Sequence, residues 1–80
     1  MSEDRLVYKG QDITLDVTMK IEHVVRIIAR RRSMTFDDAY TSFVATRAHE
    51  ALQKPASLMW AESAEYIADR YFEEIPDRHG

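Results

Sequence analysis

Apolar residues recur at helical spacing in three stretches of this chain. Val17, Ile21, Val24, Val25 and Ile28 follow one another at steps of four, three, one and three, which lines them along one side of a helix. The spacing predicts a helix over 17–32, with Asp16 as its capping residue and Arg30, Arg31 and Arg32 at its C-terminus, where cations meet the negative end of the helix dipole. Thr35, with Asp37 and Asp38 behind it, reads as the start of a second helix over 36–45. Asp38 stands where a capping box usually carries Glu or Gln. Its buried stripe would be Phe36, Ala39, Tyr40, Phe43 and Val44. A break is expected near Thr46, whose hydroxyl would cap a short helix from Arg47 to Gln53.

Lys54 and Pro55 end that stretch, because the residue before proline is pushed out of helical geometry. A last helix is expected over 58–75, on Trp60, Ala64, Ile67, Ala68, Tyr71, Phe72 and Ile75, with Pro76 as its stop. Upstream, two short apolar stretches at Leu6–Tyr8 and Ile13–Leu15 flank a turn containing Gly10. Residues 6–15 would therefore form a small hairpin or an extended arm, which must lie on the helices or pair with another chain, since a lone hairpin is marginal in water. Residues 1–5 read as a disordered tail, 77–80 as a fraying end, and 6–80 as a single domain. The expected fold is all-α: a bundle of three to four helices with an extended or short β N-terminal arm. Its core would be Ile21, Val24, Val25, Ile28, Phe36, Tyr40, Phe43, Leu52, Trp60, Ile67, Ala68, Tyr71 and Phe72.

Composition adds constraints. Eighty residues support one small core, and the absence of cysteine removes disulfides and thiolate metal sites as reinforcement. Self-association or a permanent partner is then the expected source of further stability, as a homodimer or an obligate hetero-complex. With 45% hydrophobic and 31% charged residues, the chain has a globular rather than a disordered balance. No apolar run approaches the roughly 20 residues of a membrane span. Met1 to Arg5 is polar and acidic, unlike a secretory leader, so a cytoplasmic location is expected. Residues 1–34 carry seven Lys/Arg against five Asp/Glu, and residues 35–80 carry four against nine. A net acidic chain with one basic spot is a poor general nucleic-acid binder; the polarity suits head-to-tail packing or a basic partner.

Candidate chemistry is sparse. His23, His49 and His79 form no HExxH or other close ligand pair. Ser33, Ser42, Ser57 and Ser63 lack the G-x-S-x-G setting, and Gly10 and Gly80 cannot build a phosphate loop. Glu62, Glu65 and Asp69, at helical spacing, read as a solvated acidic face. No catalytic, cofactor-binding or metal-binding residue is assigned. Two features suit partner binding. Arg26, Arg30, Arg31 and Arg32 offer guanidinium forks for partner carboxylates, or they simply complement the helix dipole. Met59 and Trp60 belong to residue types that anchor interfaces, although Trp60 also fits the core stripe.

The run Ser33 to Tyr40 (short basic loop, Thr cap, acidic first turn, aromatic) and the run Leu58 to Ile67 followed by Phe72, Glu73 and Glu74 resemble a group of short bacterial helical proteins with an aromatic, Glu-Ser, Tyr-Ile closing helix. The resemblance covers roughly residues 17–75. Members of that group sit beside toxin genes, including ADP-ribosyltransferase-like ones, and look like antitoxins. The resemblance implies a non-catalytic protein that neutralises the toxin of an adjacent gene. It supplies no catalytic residues and has no counterpart for residues 6–15. The alternative is a ribbon-helix-helix DNA-binding regulator, with a strand at 13–17 before two helices. Its groove-facing strand would have only Lys9, Gln11 and Thr14 to offer.

Overall fold

The first tertiary relationship is local. Val7–Tyr8 (β1) and Gln11–Asp12 (β2) pair antiparallel, with Val7 opposite Asp12 and Tyr8 opposite Gln11. The two turn residues, Lys9 and Gly10, both have positive φ, 52° and 81°. That is the pattern of a type I′ hairpin turn, whose twist matches the strands. In the computed structural model, which describes residues 5–76, the hairpin leads directly into a 19-residue helix, Thr14–Arg32 (α1). The expected tail (apart from Arg5), the expected fraying end and His79 lie outside the described residues.

The hairpin and α1 are joined by backbone bonds. Ile13 donates to the Leu6 carbonyl at 2.8 Å, and the Leu6 N–H donates to the Thr14 hydroxyl at 2.8 Å. Of the expected arm over 6–15, Val7–Tyr8 and Gln11–Asp12 form the hairpin, and Thr14 and Leu15 belong to α1. The Asp12 carboxylate accepts the Thr14 N–H at 2.9 Å, which satisfies one free donor at the helix start. That bond, the Thr14 hydroxyl and then Arg5 hold the Asp12 carboxyl below its usual range. Asp16 is not the cap: α1 begins three residues earlier than the expected 17, and Asp16 lies in its first turn. The helix starts earlier because Ile13, expected in the arm, is 1% exposed and belongs to the core.

The remaining caps follow their side chains. The Thr35 hydroxyl accepts from the Asp38 N–H and opens Phe36–Phe43 (α2), which stops two residues short of the expected 45. The Thr46 hydroxyl accepts from the His49 N–H and opens Arg47–Leu52 (α3), so the break falls where the sequence placed it.

The stretch after Pro55 departs from expectation. Instead of a helix over 58–75, two 3₁₀ turns, Pro55–Ser57 and Met59–Ala61, precede an 11-residue helix, Ala64–Glu74 (α4). Local side-chain bonds outcompete the helix here. The Ser57 hydroxyl donates to the Ala51 carbonyl and accepts the Met59 N–H, and the Trp60 indole N–H donates to the Pro55 carbonyl at 2.9 Å. Leu58 takes positive φ, 60°, between the turns, and Ser63 caps α4 through the Tyr66 N–H.

The chain is therefore mostly helical, with four α-helices and a two-stranded N-terminal sheet among the described residues. One apolar cluster ties them together: Ile13, Val17, Val24, Val25, Ile28, Ala39, Phe43, Ala48, Leu52, Ile67, Ala68 and Tyr71, all at most 3% exposed. Burying a large side chain of this kind contributes about 1.5–3 kcal/mol. Two expected core residues, Phe36 and Tyr40, are instead 44% and 45% exposed. The α2 stripe is wider than the surface available to it, and Ala39 and Phe43 take the buried edge. Ile21, Trp60 and Phe72 are half-buried at the rim of the cluster. Tyr71 is buried with its hydroxyl hydrogen-bonded to that of Ser42 at 2.7 Å, so its polar tip is satisfied.

Candidate interaction surfaces

The four arginines do not converge. Arg26 pairs with Glu22 one turn back on α1, at 2.6 Å. Arg31 lies 3.8 Å from Asp69 of α4, with its guanidinium 5.2 Å from the Phe72 ring centre. Arg32 covers the rings of Tyr71 and Phe72, at 5.7 and 4.7 Å, and donates to the Ile75 carbonyl at 2.8 Å. It is half-buried and closes the end of α4, whose own last turn contains no basic residue. Cations at the end of α1 thus serve two helix ends at once. Arg30 is exposed and lines a groove with Lys20, His23, Arg26, Ile27, Ala64 and Glu65.

Met59 and Trp60 also separate. Trp60 meets the Tyr8 ring edge-on at 5.6 Å between centroids, which ties the hairpin to the second 3₁₀ turn. Its outer side borders a groove with Asp16, Met19, Lys20 and His23. Met59 lines a different groove, against Arg47, Ala48, Ala51 and Glu74. The residues singled out from the sequence are spread over several faces and do not form one site.

A different apolar surface is present. Phe36 and Tyr40 of α2 flank a shallow groove with Thr18, Ile21 and Glu22 of α1. Leu15 and Met19, 69% and 50% exposed, are four residues apart on α1, and Met19 borders the Trp60 groove instead. The strip formed by Thr18, Ile21, Phe36 and Tyr40 is edged by Glu22, which is exposed and paired with Arg26. Sequence reading missed it. Phe36 and Tyr40 share the periodicity of core residues, so their spacing carried no signal of exposure.

His49 stacks edge-on against Phe43 at 5.5 Å, and burial pushes its pKa down from 6.5. Among the described residues, no group of three His, Asp or Glu side chains is placed to hold a metal ion, and no helix is long and apolar enough to cross a membrane. Comparison with family models, curated proteins and solved structures finds no match to this chain.

Proposed function

We propose that this chain is a non-catalytic protein-binding module, and specifically the neutralising component of a cytoplasmic toxin–antitoxin pair. A partner protein lies over the α1–α2 strip. The observation that carries the binding role is the strip itself: Phe36 and Tyr40 stand 44% and 45% exposed around a groove shared with Thr18 and Ile21 of α1. Scattered apolar residues are normal on a surface, but a contiguous group rimmed by charge marks an interaction site. The bordering Glu22 is already paired with Arg26, so the groove asks for a partner with an apolar centre. The antitoxin assignment rests on the resemblance of the 33–40 and 58–74 segments to antitoxin-like helical proteins. No observation favours the ribbon-helix-helix alternative: its strand, expected at 13–17, falls at the cap and first turn of α1, which spans Thr14–Arg32.

Co-expression with the product of the adjacent gene tests the proposal. The pair should co-purify and restore growth when that product is toxic. A Phe36→Ser, Tyr40→Ser double variant should remain folded and lose both effects. No co-purification and no rescue by the unaltered chain would end this reading.

A further inference from the structure

We propose that a second copy of this chain packs against the α1–α4 face, about a two-fold axis running along the two helices. This face is separate from the α1–α2 strip. α1 and α4 lie side by side and run in the same direction: Lys20 reaches the Glu62 carbonyl at one end, while Arg31 and Arg32 reach Asp69 and the Ile75 carbonyl at the other. The α1 edge is basic, with Lys20, His23, Arg26 and Arg30 around one groove. The α4 edge is acidic, with Glu65, Asp69 and Glu73 at four-residue steps along one side of the helix. Between the edges, Ile27, Ala64 and Phe72 are half-buried and partly open to solvent.

Two parallel stripes of opposite sign restrict how two identical faces can meet. An axis lying in the face and across the helices sets α1 over α1 and α4 over α4, cation on cation and carboxylate on carboxylate. An axis along the helices sets each α1 over the other copy's α4. Every basic residue then faces an acidic edge, and the arrangement repeats twice by symmetry. The apolar seam meets itself in the middle. The chain has no cysteine and, among the described residues, a core of a dozen residues, so burial of this seam adds stabilisation that a small domain needs. Exposed charge pairs are screened by salt, so the association should weaken as ionic strength rises.

Sedimentation equilibrium of the full chain at low salt should show a concentration-dependent monomer–dimer equilibrium, weakened about tenfold or more in 1 M NaCl. A chain carrying Arg26→Glu and Arg30→Glu, with both edges acidic, should be monomeric. So should one carrying Asp69→Arg and Glu73→Arg, with both edges basic. Mixed in equal amounts, the two should form a heterodimer, because each edge then meets its opposite. Far-UV circular dichroism checks that both variants are folded. A monomer at every concentration, a dimer indifferent to salt, or folded variants that self-associate as tightly as the unaltered chain would overturn the proposal. A folded pair that stays monomeric on mixing would also overturn it.

Discussion

The carboxylate of Glu74 accepts the backbone N–H of Arg47 at 2.9 Å, and its second oxygen accepts that of Ala48 at 3.1 Å. The last residue of α4 thus caps the first turn of α3, a helix of six residues that is too short to persist by itself. A negative charge at the C-terminal end of α4 is unfavourable to that helix, but at the N-terminal end of α3 it is favourable. Glu74→Ala should destabilise the fold by about 1–2 kcal/mol, and Glu74→Gln by less, since it keeps one acceptor. Urea unfolding midpoints measure the difference. An Ala variant with an unchanged midpoint would show that α3 is held by packing alone.

Leu58 and Ser33 occupy left-handed backbone, with φ of 60° and 55°. A side chain there costs about 1–2 kcal/mol relative to glycine. Leu58 is 44% exposed, so its side chain returns little of that cost through burial. Leu58→Gly is expected to stabilise the fold by about 1 kcal/mol, and Ser33→Gly by a similar or smaller amount at the C-terminus of α1. Thermal melts should show both midpoints rising. A fall for Leu58→Gly would mean that the leucine side chain contributes more than its exposure indicates.

Stability should decline on mild acidification because of His49. Burial against Phe43 lowers its pKa in the folded chain below the unfolded 6.5. The unfolded state therefore binds the proton more readily. The contribution of His49 is complete above pH 6.5 and is lost as pH falls through the lower, folded value. Urea midpoints at pH 7.5 and 5.5 should differ, and His49→Gln should reduce the difference. Equal slopes in the two proteins would remove His49 as the cause.

The arginines at the end of α1 should separate cleanly under mutation. Arg32 packs on Phe72 and closes the Ile75 carbonyl, so Arg32→Ala should cost about 1–2 kcal/mol. Arg32→Lys should recover only part of this, because an ammonium lacks the planar face that covers the ring. Arg30→Ala should stay within about 0.5 kcal/mol of the unaltered chain, as expected for an exposed position. Equal losses at both positions, read by chemical denaturation, would contradict this division of roles.

The helical character, the caps at Thr35 and Thr46 and most of the deep core were legible in the residues, because cap chemistry and apolar periodicity are local. Ile13 and the true start of α1 were not. They depend on how the hairpin bonds through Leu6 to Ile13 and Thr14, which apolar periodicity does not encode. The 58–63 stretch failed for the opposite reason. Its periodicity is helical, but Ser57 and the Trp60 indole satisfy backbone groups in turns instead. The candidate site was the least legible part. Arg31 and Arg32 looked like ligands for a partner, and the structure turns both toward α4. Phe36 and Tyr40 looked like core, and both face solvent. Period alone cannot separate the buried edge of a stripe from its open edge.

Trp60 is the chain's single tryptophan, and its ring meets Tyr8 while its N–H is held by the Pro55 carbonyl. Indole emission is therefore a built-in optical probe of whether the hairpin is seated on the helical body. If the hairpin lifts away while the helices persist, the emission maximum shifts and the helical ellipticity does not. A single excitation wavelength thereby follows the aromatic junction between the sheet and the second 3₁₀ turn, with no label attached.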